Sequence, residues 1–139
     1  MENLDKLCAE YGYRFADEIK KADNFDAKKA ESLVTKALGV LQEQGLYAFL
    51  LFCESRGKAE KAGADKIKEI TAELLKKLQF VNGSDLLKEI RKDNGLASRL
   101  DDLILAIQVL EKSLIYARYH AKAFSNPAEE NVVIEGTTK

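Results

Sequence analysis

The N-terminal part of the chain repeats apolar residues every three or four positions, which is the spacing of an amphipathic α-helix. Two such stripes occur, one on each side of the segment ADNFD at 22–26, which breaks the spacing, and Asp26 is suited to cap the second helix. We expect this helix to end at Gly45, because glycine readily adopts the left-handed conformation found at helix C-termini. The two stripes consist of Leu4, Leu7, Cys8, Tyr11, Phe15 and Ile19, and of Ala30, Leu33, Val34, Ala37, Leu38 and Leu41.

The most apolar stretch of the chain follows directly, since every residue from 46 to 53 is apolar. The stretch LYAFLLFC is too long for an ordinary strand in a helical chain, so it predicts a short helix buried on most of its circumference. Further on, Ile67, Ile70, Leu74 and Leu78 share one face of a fourth helix, and Lys and Glu occupy the other face.

The remaining elements are a short helix and a long one. Ser84 can cap a helix that runs to about Lys92. Ser98 with Asp101 resembles a capping box that opens a long helix to about Phe124. The apolar face of this last helix is expected to contain Leu100, Leu103, Ile104, Ile107, Leu110, Leu114 and Ala117.

These patterns predict an all-α fold, a single-domain bundle of about five to six helices with a long C-terminal helix. The bundle covers residues 1–124, and 139 residues suffice to bury a core without disulfides or metals. Residues 125–139 hold the only proline and lack a helical period, so we expect a flexible C-terminal tail. The alternative is that its segment NVVI pairs as a strand with a partner.

Net charge excludes a global attraction to nucleic acid or to an anionic membrane, because 22 cations face 23 anions. No apolar run approaches the roughly 18 residues of a membrane span, and the N-terminus lacks a signal-peptide pattern. Cys8 and Cys53 lie in apolar helical contexts without metal-binding spacing, so we interpret them as reduced core residues. Together these features predict a cytoplasmic protein.

Positive charge is concentrated in the middle of the chain, where residues 27–92 carry 13 cations and 9 anions. Pairs at four-residue spacing, Lys61 with Asp65 and Glu73 with Lys77, explain much of it as a salt-bridged helix surface. Arg56 and Lys58 differ, because they close the apolar helix. There they either complement the helix dipole or present donors to a phosphate, and both interpretations stay open.

Residues for catalysis are scarce, since His120 is the only histidine of the chain. The carboxylates of Asp101 and Asp102 are adjacent in sequence and diverge by about 100° on a helix, so they cannot share a proton or a metal without ligands from elsewhere in the chain. The segment GKAEKAG has its glycines and lysine in the wrong order for a phosphate-binding loop. The sequence therefore predicts a protein that is not an enzyme and needs no cofactor or metal.

Three short motifs carry a resemblance to a known family. The first motif is an apolar helix that starts at Gly45-Leu46, continues with Leu50 and Phe52, and ends in a basic-Gly-basic sequence. The second is a lysine-alanine pair that precedes this helix. The third is an Arg-x-x-Ala-x-Ala sequence in the last helix. The matching residues are Lys36, Ala37, Gly45, Leu46, Leu50, Phe52, Arg56, Gly57, Lys58, Arg118, Ala121 and Ala123. In these positions the chain resembles the small all-helical subunit of type III-B CRISPR effector complexes, the Cmr ribonucleoproteins. A proline after Ala37 and a tryptophan in the last helix, both common in that family, are absent.

The resemblance implies a non-catalytic structural subunit of an RNA-guided, RNA-targeting complex in antiviral defence. Such a subunit stacks with copies of itself and with neighbouring effector subunits, and contacts the backbone of the guide RNA–target RNA duplex, while other subunits cleave. The residues expected to bind RNA are Lys36, Arg56, Lys58, Lys61, Arg118 and Lys122. Of these, Lys61 and Lys122 are chosen for their proximity in sequence to the motifs.

Three alternatives remain. One is the corresponding small subunit of the type III-A complex, which has the same role. Another is a helical protein–protein adaptor without RNA binding, which would use the last helix and the NVVI segment. The third is a small enzyme using Cys53 or His120.

Overall fold

The computed structural model describes residues 3–83 and 85–126. Within these ranges the chain forms six α-helices and one short 3-10 turn, without a strand, which confirms the predicted all-α bundle. The predicted tail begins inside the last helix, which continues through Ser125, and residues 127–139 lie outside the described part. The helices are α1 Leu4–Lys20, α2 Ala27–Gln44, α3 Leu46–Glu54, α4 Lys61–Lys77, α5 Leu86–Arg91 and α6 Leu100–Ser125, and the 3-10 turn is Leu96–Ser98.

Local signals determine where α2 begins and ends. Asp26 caps α2 as predicted, because its carboxylate accepts a hydrogen bond of 2.8 Å from the backbone N–H of Lys29. Gly45 ends α2 at a positive φ of 93°, but its ψ of −176° is extended rather than left-handed helical. Its N–H donates to the carbonyl of Leu41, and its own carbonyl accepts from Phe49 in α3. One glycine thus serves both helices at a sharp turn.

Two predicted caps near the end of the chain are wrong. The N-cap of α5 is Asp85, whose carboxylate accepts from the N–H of Lys88, and the proposed cap Ser84 lies outside the described residues. Ser98 does not open α6, because its hydroxyl donates to the carbonyl of Gly95 and closes the 3-10 turn. Arg99 precedes α6 without a side-chain cap.

The helix directions follow from contacts between α1 and α6. Asp5 near the start of α1 pairs with Lys112, whereas Lys20 at its end lies over the ring of Phe124. The contacts advance along both helices together, so α1 and α6 run parallel. Gln42 near the end of α2 bonds Glu111, which neighbours the partner of Asp5 on α6, so α2 runs antiparallel to both helices. The core lies among these three helices, and α3 and α4 close it.

Burial departs from the sequence pattern in two helices. Leu110, Leu114 and Ala117 of α6 are buried as predicted, but Leu100 is 67 % exposed and Ile104 is 46 % exposed. The first turns of α6 contact the core through Leu103 and Leu105, which are partly buried, while Leu100 and Ile104 face solvent. The apolar helix α3 is buried on one side rather than on most of its circumference. Its buried residues are Leu46, Phe49, Leu50 and Cys53, whereas Leu51 is 46 % exposed.

None of the helices in the described ranges is long and apolar enough to cross a membrane.

Candidate nucleic-acid interface

The end of α3 is closed by the side chain of Arg56. Its Nε donates a hydrogen bond of 3.1 Å to the carbonyl of Phe52, and its Nη2 lies 3.1 Å from the hydroxyl oxygen of Ser55. The guanidinium also lies 4.0 Å from the centroid of the Phe52 ring, within the range of a cation–π contact. The Arg56 side chain therefore bonds the last turn of α3. This agrees with the interpretation that Arg56 closes the apolar helix, one of the two that the sequence left open.

Glu60 joins Arg56 to Lys36. The Lys36 Nζ lies 2.9 Å from one carboxylate oxygen of Glu60, and Arg56 Nη1 lies 3.5 Å from the other. The hydrogen bond from Lys36 is the main reason why the pKa of Glu60 falls below its ordinary value. The structure thus brings two predicted site residues together, and one carboxylate offsets one of their two charges.

Lys58 lies in the segment between α3 and α4 and is exposed. Its ammonium forms no hydrogen bond or ion pair with any residue that the structure describes. A cation with this exposure and without a partner can contact a phosphate without first breaking an intramolecular bond.

Lys61 belongs to a network of alternating charges between α3 and α4. Its ammonium pairs with Asp65 at 3.0 Å, as predicted from the sequence, and Lys68 lies within 2.6 Å of Glu54 and 3.7 Å of Asp65. The bond to Glu54 raises the pKa of Lys68. Lys61 lines an open groove of about 770 Å³ whose other walls include Leu86 and the other members of the network.

The predicted pairing of Glu73 with Lys77 is wrong. Glu73 instead accepts two hydrogen bonds from the guanidinium of Arg14, at 2.8 and 3.3 Å, and this bond lowers the pKa of Glu73. Because α1 packs against α4, the two-pronged guanidinium reaches both carboxylate oxygens across the helix pair.

Arg118 and Lys122 lie one turn apart near the end of α6. Lys122 is exposed, and the Arg118 guanidinium lies 5.9 Å from the ring centroid of Tyr119. Neither forms an ion pair in the described part of the chain, and no hydrogen bond or ion pair there links them to Lys36 or Arg56.

The six predicted residues belong to two parts of the fold. Lys36, Arg56, Lys58 and Lys61 lie on α2, on α4 or in the segment between α3 and α4, and Arg118 and Lys122 lie near the end of α6. Gln42 of α2 donates to Glu111 of α6 at 2.8 Å, and Arg118, seven residues after Glu111, shares its side of α6.

Aromatic rings cluster between α1 and α6, and the sequence reasoning missed them. Tyr13 of α1 meets His120 and Phe124 of α6 edge to face, with ring centroids 5.5 and 6.1 Å apart. The four-residue spacing of His120 and Phe124 places both rings on one side of a helix, which is the only sequence signal for this cluster. His120 is thus engaged in ring packing.

The thiols sit in environments that suppress reactivity. Cys8 and Cys53 are free and buried, as predicted. Burial raises the pKa of Cys53 to about 12, and burial is also the main cause of the raised pKa of Cys8. Among the described residues, no group of three or more His, Cys, Asp or Glu side chains is placed to hold a metal ion. The arrangement supplies exposed cations on a rigid helical scaffold, which is suited to binding a polyanion.

Comparison with protein-family models gives one finding. The model described as CRISPR-associated protein (Cas_Cmr5) matches residues 4–123, from the first residue of α1 nearly to the end of α6. Comparison with curated proteins and with solved structures found no match.

Proposed function

Because the chain belongs to the CRISPR-associated Cas_Cmr5 family, whose members are subunits of type III-B effector complexes, we propose that it is a structural subunit that contacts RNA. The family membership confirms the resemblance predicted from the motifs. In the proposed role the protein is non-catalytic, stacks with copies of itself and with other effector subunits, and flanks the guide RNA–target RNA duplex in the cytoplasm during antiviral defence.

One observation supports this role above the others. Lys58, Arg118 and Lys122 present cationic side chains on a rigid scaffold, without an ion-pair partner among the residues described. Base pairing selects the target, so a flanking subunit needs only sequence-neutral contacts between cations and phosphates. These three residues meet that need without rearrangement.

The other three predicted residues need an exchange of partners. Lys36, Arg56 and Lys61 already pair with carboxylates of Glu60 and Asp65. A surface ion pair contributes only about 0–1 kcal/mol, so a phosphate can replace the carboxylate at small cost. We therefore propose that these residues strengthen RNA binding in the assembled complex, after Lys58, Arg118 and Lys122 have bound phosphates.

Exposed apolar side chains support the proposed assembly with neighbouring subunits. Leu51, Leu100 and Ile104 are between 46 and 67 % exposed, and Leu100 and Ile104 lie one turn apart on α6. The same surface favours a second candidate function, a helical adaptor that binds protein alone. The family match favours the type III-B complex over the type III-A complex.

Salt titration of target RNA retention by the assembled complex tests the proposal. We expect the triple variant Lys58→Glu, Arg118→Glu and Lys122→Glu to retain target RNA less tightly, with a shallower dependence of log K on log salt. The matched control reverses Lys76 and Lys77, two exposed lysines of α4 that form no ion pair within the described ranges. If the triple variant retained target RNA as tightly as the wild type, with the same salt dependence, Lys58, Arg118 and Lys122 would not contact RNA. An equal loss in the triple variant and in the control would also contradict their role.

An affinity pull-down from native cells separates the two candidate functions. Recovery of large effector subunits together with short RNAs that share a common 5′ tag supports the effector subunit. Recovery of protein partners without such RNA supports the adaptor.

A further inference from the structure

An open polar pocket of about 440 Å³ lies where the end of α4, the helix α5 and the start of α6 meet. Among the residues that the structure describes, its lining has one carboxylate, that of Glu89, against three cations and three carboxamides. Cationic and carboxamide side chains donate hydrogen bonds, so this lining is suited to an anionic ligand. The cations and carboxamides, none of which the proposed RNA contacts use, are Lys76, Lys92, Arg99, Gln79, Asn82 and Asn94.

Arg99 keeps hydrogen-bond donors for such a ligand. Its Nη1 donates to Asp102 at 2.8 Å, and its Nη2 donates to the carbonyl of Phe80 at 2.7 Å. These bonds hold the guanidinium in place and use two of its five N–H donors. Nε is buried, so the donors that remain for a ligand are those on Nη1 and Nη2.

Glu89 shows that the pocket can hold an ionised carboxylate. Its oxygens accept hydrogen bonds from the Lys92 ammonium at 3.2 Å and from the backbone N–H of Asn82 at 3.4 Å. The bond from Lys92 is the main reason why the pKa of Glu89 lies below its ordinary value. Lys76 forms no ion pair with a described residue, so the pocket has positive charge left for a second carboxylate.

The pocket and the end of α6 lie at opposite ends of the bundle. Arg99 directly precedes α6, whose 26 residues span about 39 Å up to Ser125. The Lys20 ammonium lies over the ring of Phe124, so the end of α1 lies at the same end of the bundle as Ser125. In a stack that repeats one contact from copy to copy, one end of each copy meets the opposite end of the next.

The sequence after Ser125 supplies carboxylates. Residues 127–139 hold Glu129, Glu130 and Glu135 against one cation. Even a fully extended chain from Ser125 to Glu130 spans at most about 18 Å, which is less than half the length of α6. Glu129 and Glu130 therefore cannot reach the pocket of their own copy, whereas the pocket of a stacked copy lies at the end of the bundle that they leave.

We propose that Glu129 and Glu130 of one copy bind in the pocket of the next copy, where the pocket cations donate to their carboxylates. The carboxylates of Glu89 and Asp102 lower the net positive charge at this place, which favours a short acidic peptide over a polyanion such as RNA. The inference rests on the proposed stacking of copies and deepens it by naming the segment and the site that join them.

Peptide binding to the full chain gives the first test. A fluorescein-labelled peptide of residues 126–139 should bind with an affinity that falls as salt rises, because the contact is ionic. Reversing two pocket cations, Lys76→Glu with Lys92→Glu, should weaken binding about fivefold or more in fluorescence anisotropy. A peptide with Glu129→Lys and Glu130→Lys should bind this reversed chain better than it binds the wild type.

Cross-linking in the assembled complex gives the second test. The complex is prepared with a mixture of isotope-labelled and unlabelled copies of the protein, and a carbodiimide then joins carboxylates to lysines in direct contact. Mass spectrometry should find Glu129 or Glu130 of one isotope linked to Lys76 or Lys92 of the other.

The matched control is Lys28→Glu with Lys29→Glu, which makes the same change of charge at the start of α2, outside the pocket. This variant should bind the peptide like the wild type. Circular dichroism checks that both double variants keep their helix content.

Specific results would overturn the inference. One is equal peptide binding by the wild type and by the chain with Lys76 and Lys92 reversed. Another is peptide binding without cross-links between isotopes, which would exclude the contact between copies.

Retention of target RNA separates this inference from the proposed RNA contact. Reversing Lys76 and Lys92 should leave retention by the assembled complex unchanged, because neighbouring effector subunits also hold each copy. Weaker RNA retention with intact peptide binding would assign the pocket to RNA and overturn the inference. Failure of the proposed RNA contact would appear instead as unchanged retention in the triple variant of Lys58, Arg118 and Lys122.

Discussion

The Arg56 guanidinium stacks over the ring of Phe52 and, at the same time, donates from Nε to the carbonyl oxygen of Phe52, at 4.0 and 3.1 Å respectively. Both contacts link Arg56 to the same residue of the preceding turn, so the side chain folds back along α3 instead of extending into solvent. The direction of Arg56 is thereby tied to the end of the most apolar helix. A role in binding RNA and a role in closing α3 can be separated by substitution.

Substitution of Arg56 should lower the stability of the protein, whereas substitution of Lys58 should not. Arg56→Ala removes the hydrogen bond and the cation–π contact with Phe52, so we expect the free energy of unfolding to fall by about 1 kcal/mol. Lys58→Ala should change it by less than about 0.5 kcal/mol, because Lys58 is exposed and unpaired in the described part of the chain. Urea denaturation measures both, and equal losses would contradict the role of the Arg56 side chain in closing the end of α3.

Substitution of Glu60 should have an effect that depends on pH. The pKa of Glu60 lies below its ordinary value of 4.5 in the folded protein, mainly because of Lys36, so its ion pair stabilises the fold above that pH. This contribution is lost as the pH falls through the folded pKa. Glu60→Gln should therefore lower the free energy of unfolding by about 0.5 kcal/mol at pH 7, a difference that shrinks at acid pH.

Glu60→Gln also frees Lys36 and Arg56 from their shared carboxylate, so we expect tighter retention of target RNA. The control is Glu43→Gln, since Glu43 is exposed and forms no ion pair with a described residue. If Glu60→Gln differed from the wild type by the same free energy of unfolding at pH 3 and at pH 7, the ion pair of Glu60 would not be the source of the difference.

Two glycines should respond to alanine in opposite directions. A Cβ at Gly12 would lie 2.5 Å from the Cβ of Tyr116 and 2.9 Å from the carbonyl oxygen of Ser113, so Gly12→Ala forces α1 away from α6. We expect a loss of about 1–3 kcal/mol in the free energy of unfolding. At Gly39 a Cβ meets nothing within 4 Å, so Gly39→Ala should stabilise α2 by about 0.5–1 kcal/mol. Chemical denaturation compares the two, and a stable Gly12→Ala protein would contradict the close approach.

The thiol of Cys53 should not react in the native protein. Burial holds its pKa at about 12, so almost no thiolate exists near pH 8 and the sulfur is inaccessible. Ellman's reagent at pH 8 should therefore modify the native protein only at the rate of unfolding. Ser32→Cys places a thiol at an exposed position of α2 and should react at once. Rapid labelling of Cys53 would reopen the enzyme hypothesis.

The candidate site was partly predictable from the sequence. The motifs pointed to Lys58 and Arg118, and proximity in sequence added Lys122; Lys58 and Lys122 are exposed and Arg118 is half-buried. The pairing of Lys36 with Glu60 spans 24 residues, and no periodic pattern encodes such a pair. It arises from the way in which the segment after α3 folds back towards α2.

Contacts between residues farther apart in sequence could not be predicted for the same reason. Tyr13 and His120 are 107 positions apart, and only the parallel packing of α1 and α6 brings their rings together. The sequence spacing predicted that Glu73 pairs with Lys77 of the same helix. In the structure Glu73 pairs with Arg14 of α1, whose guanidinium binds both carboxylate oxygens.

The sequence by itself determined the helical class and most helix boundaries, because periodic apolar spacing, Asp26 as a cap and Gly45 as a stop act within a few residues of chain. Tertiary structure alone decided which apolar positions are buried. Leu100 and Ile104 were predicted on the apolar face of α6 but stay exposed, because the core covers the side of these turns that carries Leu103 and Leu105. Burial depends on what packs against a face, and that is a property of the whole fold.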